Sequence, residues 1–149
     1  MPFPFKRDAS YAATIRVLSV KQPWAWATIH AGRDVDCRRW RTPYRGPVFI
    51  HASARTSQAD YDAFLAFISA RKLIDPAIVP ALQDLPLGGL IGRATLVDCT
   101  GRGRSRWFTG YFGLYLAGPE PIPFRRCKGG RSLFTTRIFP DLLVQLIAS

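Results

Sequence analysis

The sequence predicts an α+β domain, a small β-barrel flanked by short helices, and three observations carry this. Apolar and β-branched runs of strand length recur along the chain and outnumber the segments with helical periodicity. The two kinds of segment do not alternate regularly, which argues against a parallel βαβ sheet. At 149 residues the chain has room for one domain with a real core, whereas two compact domains would be cramped.

Residues 1–12, with two prolines and mixed charge, are expected to form a poorly ordered arm ahead of a single domain over 13–149. A β-branched run predicts the first strand over 14–20. Pro23 suits the start of a short helix over 24–31, where its missing N–H costs nothing, and Gly32 suits a left-handed stop. A strand over 34–40, a turn over 42–46 and a buried strand over 47–52 follow. Ser57 then opens an amphipathic helix: its hydroxyl can accept the N–H three residues on, and Asp60 sits well in the positive first turn. Tyr61, Phe64, Leu65 and Ile68 recur at i, i+3, i+4 and i+7 and read as core. A second short helix is predicted over 77–83 and a strand over 89–100. Beyond these come a flexible basic loop with Arg102, Arg104 and Arg106, an aromatic segment over 107–112 and a strand over 113–117. A turn over 119–123, a basic stretch over 124–136 and a last helix over 140–147 complete the reading.

Lys and Arg total 21 against 10 Asp and Glu, a net charge of +11. Such an excess attracts polyanions at long range, so RNA, DNA or an anionic membrane surface enter as partners. No apolar run approaches the roughly 20 residues of a membrane span, and the N-terminus lacks the apolar core of a signal peptide. Cys37, Cys99 and Cys127 lie far apart, an odd count with no C-x-x-C pair, which fits neither a disulfide framework nor a zinc site. The expectation is a cytoplasmic protein with reduced thiols, no structural metal and no cofactor.

Several stretches resemble the ASCH (activating signal cointegrator homology) domain family. They are Leu18-Ser19-Val20-Lys21-Gln22-Pro23-Trp24-Ala25, Ile29-His30-Ala31-Gly32, Asp34 through Pro47, and Ile50-His51-Ala52-Ser53. Leu87-Gly88-Gly89-Leu90-Ile91-Gly92, Leu96-Val97-Asp98-Cys99, Trp107-Phe108 and Pro121-Ile122-Pro123-Phe124 extend the match over about residues 15–134. The resemblance implies a PUA-like β-barrel with a cleft beside it and a role connected with RNA or other nucleic acid. A sub-family is associated with amide hydrolysis on acetylated cytidine through a Lys, a Thr and a Glu. Here Arg33 takes or displaces that Lys and Asp36 stands at the Thr, which disfavours this activity because Arg stays protonated.

The residues point the same way on their own. Residues 18–53 concentrate Trp24, Trp26, Trp40, both His (His30 and His51) and Arg33, Arg38, Arg39, Arg41 and Arg45. Flat aromatic faces beside cations suit an anionic, stacked ligand, so RNA or single-stranded nucleic acid is the expected partner. Lys21 falls between a strand and a helix start, where a phosphate would meet its ammonium and free N–H groups. Arg38, Arg41 and Arg45 offer forks for phosphate oxygens, and Trp40 and Tyr44 offer stacking faces. Trp24 and Trp26 are two positions apart on one helix, so at most one faces a ligand. Trp40 reads equally as core, and Arg38 equally as a counter-charge for Asp36 or Asp34. Ser53 and His51 follow a buried strand, where cleft residues emerge. Were they to converge, Lys21, His51 and Tyr44 with Arg45 would supply the acid, base and cation of a metal-independent ribonuclease or another hydrolase acting on RNA. Arg102, Arg104 and Arg106, and then Arg125, Arg126, Lys128 and Arg131, form a second basic cluster for a phosphate backbone. A module for an acidic protein partner is the remaining alternative.

Overall fold

The computed structural model describes residues 13–138; the arm expected over 1–12 and the helix expected over 140–147 lie outside them. The predicted first strand is β1 (Ala13–Val20), and α1 (Trp24–His30) follows, stopped by Gly32 at a φ of 76°. β2 (Val35–Arg38) is shorter than expected, and β3 (Gly46–Ala52) matches the buried run. The Ser57 hydroxyl accepts the Asp60 N–H and starts α2 (Gln58–Ala70), which buries Phe64 and Ile68 and half-buries Tyr61 and Leu65. The helix expected over 77–83 is instead two 3-10 turns, Pro76–Ile78 and Leu82–Asp84. Pro80 lies inside the expected helix, and its missing N–H and ring bulk block a continuous one.

β4 (Gly89–Thr100) pairs with a long β5 (Phe112–Arg126), and β6 (Leu133–Ile138) ends the described chain. β5 runs straight through the turn expected over 119–123. β2 pairs with β5 only from Phe112 to Tyr115. Beyond that, one side of β5 carries no partner strand among the described residues, so Pro119, Pro121 and Pro123 forfeit no ladder bond there.

The sheet order is β2-β5-β4-β3-β1-β6, with β1 parallel to β3 and the other neighbours antiparallel. Among the described residues no ladder joins β2 to β6, so the mixed sheet is open and the expected barrel does not close. The cause is local. β6 pairs with β1 only as far as Leu18, which leaves the Ser19 carbonyl uncovered, and the Arg38 guanidinium at the end of β2 takes it at 2.6 Å. The five ladders leave β2 and β6 unjoined, and a side chain from β2 reaches the end of β1 in place of a sixth.

One face of the sheet carries a core of Leu18, Val20, Val48, Ile50, Ala52, Leu96, Leu114 and Leu116, onto which α1 sets Ala25 and Ile29. Gly92 admits the helix this closely: a Cβ there would lie 2.4 Å from Ile29 Cδ1. A second cluster packs Ala27 of α1 with Val35, Phe64, Ile68, Trp107 and Tyr115. Among the described residues no helix is long and apolar enough to cross a membrane.

Candidate nucleic-acid interface

The parallel pair β1 and β3 ends at one place, where the Ser53 N–H bonds the Val20 carbonyl at 3.0 Å. A cleft of about 450 Å³ opens there. Its lining includes Ser19, Val20 and Lys21 from the end of β1, Trp24 from α1 and Ser53 from the end of β3. Arg33, Asp36, Cys37 and Arg38 come from β2 and the turn before it, and Trp107 and Thr109 from the β4–β5 connection.

Gln22, fully buried, sets this corner. Its Oε1 accepts the Trp26 N–H, its Nε2 donates to the Pro86 carbonyl, and its own carbonyl accepts from the Thr56 hydroxyl. One residue therefore fixes α1 and the entry to β4 with its side chain and the approach to α2 with its carbonyl. It also occupies an N–H at the start of α1 that the sequence reading offered to a phosphate. The Gln22–Pro23 peptide is cis, and Pro23 precedes the helix rather than opening it.

The floor is an ionic triad. Asp36, 3% exposed, bonds Arg33 Nη2 at 2.9 Å and Arg38 Nε at 2.5 Å. Burial pushes its carboxyl up, but the two guanidinium charges and their hydrogen bonds outweigh this and hold it below the usual carboxylate range. Arg33 also donates to the Thr28 hydroxyl at 3.0 Å and lies over the Trp24 ring at 5.4 Å. Its buried Nε has no partner among the described residues. Lys21 stands at the rim, half-exposed, 3.3 Å from Asp60 of α2. The Cys37 sulfur accepts the Thr109 N–H. The lining thus holds three cations against one carboxylate, with two indole rings beside them.

The expected site residues divide between this cleft and other places. Lys21, Trp24, Arg38 and Ser53 line it together. Trp40 is half-buried against the core under Arg38, and Arg41 lies over Phe112. Tyr44 donates its hydroxyl to the Pro47 carbonyl and carries Arg16 over its ring, while Arg45 bonds the Thr42 and Tyr44 carbonyls and faces Asp98. His51 is buried, 1% exposed, and does not line the cleft. Its Nε2 lies 2.6 Å from the Cys127 carbonyl, which only accepts, so Nε2 carries the proton and Nδ1 accepts from the Ser19 hydroxyl at 3.0 Å.

The loop expected to be flexible is pinned. Arg104 pairs with Asp98 at 2.8 Å and lies over the Tyr115 ring, and the Tyr115 hydroxyl donates to the Arg102 carbonyl. Arg106 donates to the Arg71 carbonyl, and Arg71 returns bonds to the Arg106 and Phe108 carbonyls. Arg102 and Lys128 are exposed, and Arg125 is half-buried.

The chain is similar to known proteins over part of its length. Activating signal cointegrator 1 of Homo sapiens is 34% identical over 82 residues, 55% of this chain and 14% of that protein. The Mus musculus protein of the same name is 32% identical over 82 residues, with the same coverage of both chains. No family model matches the chain. The similarity supports an ASCH-related domain. The chain covers only a small part of these relatives' length.

Reading the sequence for a site missed Trp107 and Thr109, which are far from residues 18–53 in sequence and join the cleft only through the fold. It treated Arg33 and Asp36 as departures from a family pattern, although an Asp flanked by Arg three residues before and two after was itself the sign of the triad.

Proposed function

We propose that this chain is an ASCH domain of PUA-like ancestry that binds RNA or single-stranded nucleic acid, with one nucleotide seated in the cleft. The observation that carries this is the lining itself: Lys21, Arg33 and Arg38 against Asp36 alone, beside Trp24 and Trp107. The excess cations favour a phosphate, Lys21 and Arg38 are exposed enough to reach one, and the apolar walls suit a base. The volume falls among those of small-ligand sites. Binding is favoured over cleavage because, of Lys21, His51 and Tyr44, only Lys21 lines the cleft.

The test incubates the purified chain with labelled RNA and DNA, with and without chelator, and follows binding and cleavage together. Binding without turnover, weakened by Lys21→Ala, is the expected result. Cleavage above background that His51→Ala abolishes would favour a ribonuclease. Affinity for an acidic peptide with none for nucleic acid would favour the protein-interaction module.

A further inference from the structure

Two residues beyond the cleft-lining Thr109, the chain holds an aromatic ring in an unusual position. Tyr111 has a φ of 61° and is 62% exposed. A ring-bearing residue is rarely kept in this left-handed region, where glycine is favoured, and Tyr111 gains no burial in return. The Arg39 guanidinium lies over its ring at 5.0 Å. With one face covered and the residue this exposed, the other face is open to solvent.

The position is continuous with the cleft. Arg38 lines the cleft, Arg39 follows it, and Arg38 pairs in register with Phe112, the neighbour of Tyr111. Arg41 lies over the Phe112 ring at 5.1 Å, so two stacked arginines flank the path out of the cleft. Both are exposed, and among the described residues neither forms an ion pair with a carboxylate. Stacking holds their guanidinium planes in place while the N–H edges stay available to phosphate.

We propose that Tyr111, backed by Arg39 and flanked by Arg41, is a stacking platform for the base next to the nucleotide in the cleft. The chain then grips at least two consecutive nucleotides of a single strand: one in the cleft, one on the platform, with their shared phosphate near Arg38 and Arg39. A duplex would not serve, because its bases are already stacked on each other. This rests on the reading that the cleft takes a nucleotide, and it adds a second subsite to it.

The experiment measures affinities of the full chain for uridine monophosphate and for oligouridylates of two, four and eight nucleotides. The variants are Tyr111→Gly, Tyr111→Phe and Lys21→Ala. Glycine suits the backbone at this position, so Tyr111→Gly keeps the fold, which thermal melting verifies. It is expected to weaken the oligouridylates roughly five- to hundred-fold, leave the mononucleotide unchanged, and be rescued by Tyr111→Phe. Oligouridylate binding that Lys21→Ala weakens but Tyr111→Gly does not would overturn the platform and leave the cleft standing. Equal losses for mononucleotide and oligomers in Tyr111→Gly would make Tyr111 a structural residue and also overturn it. If the wild-type chain binds no oligouridylate, the platform and the cleft reading fall together. A Tyr111-dependent affinity for polyglutamate in its place would make this a protein-docking face.

Discussion

Asp36 shows how much one buried carboxylate can decide. It is the counter-charge of both Arg33 and Arg38, whose side chains are 10% and 26% exposed, and it aims both at the cleft. Replacing it with Asn strands two guanidiniums in a poorly hydrated place, and breaking a buried pair from one side costs roughly 3–5 kcal/mol. Asp36→Asn should therefore lower stability by about that amount in chemical denaturation. Acid gives a second readout. The folded carboxyl releases its proton more readily than the unfolded one, so below about pH 4 the unfolded chain binds more protons. The contribution of Asp36 is complete above that pH and is lost as pH falls through its lower folded value. Asp60, bonded to Ser57 and Lys21, and Asp98, bonded to Arg104, are shifted in the same direction. The acid limb of the Asn variant should thus be shallower than in the wild type, not flat. An unchanged limb would mean that Asp36 does not titrate as its surroundings dictate. The sequence showed these charges and offered Arg38 as a counter-charge for Asp36 or Asp34 without deciding between them. Arg38 was open between ligand and counter-charge, and the fold makes it serve Asp36, the Ser19 carbonyl and the cleft together.

At the scale of elements, what was legible followed local chemistry. Ser57 capped α2 as its hydroxyl and spacing required, and Gly32 ended α1. β5 was not legible, because three alternate prolines look like a turn unless one knows that this side of the strand has no partner. α2 also bears on the cleft in a way its apolar stripe did not reveal. Its first turn carries Asp60, which holds Lys21 at the rim. A ligand phosphate must compete with that carboxylate for the ammonium. Asp60→Asn should therefore raise affinity for a short oligonucleotide, by up to about five-fold given the modest strength of exposed ion pairs. Fluorescence anisotropy at low salt would measure this, and an unchanged or weakened affinity would show that Lys21 does not contact the phosphate.

For the molecule as a whole, the patterns of the sequence announced an α+β fold, its charge raised the expectation of a polyanion partner, and neither revealed that the sheet stays open. Where β2 comes near the end of β1, Arg38 bonds the Ser19 carbonyl instead of a ladder forming, a contact that no local pattern encodes. The positive charge around the cleft is divided. The cleft holds a net of two cations, and Arg39 and Arg41 lie outside it on the path past Tyr111. Counterion release turns this division into a measurement, because each phosphate neutralised on a single strand adds about −0.7 to the log–log dependence of affinity on salt. A mononucleotide confined to the cleft should give a slope no steeper than about −1.4, and an octanucleotide that also reaches Arg39 and Arg41 should approach about −2.8. Arg39→Gln with Arg41→Gln should return the octanucleotide to the shallower slope without changing the mononucleotide. If the slope does not depend on length, the charge outside the cleft serves solubility alone and the strand ends where the cleft does.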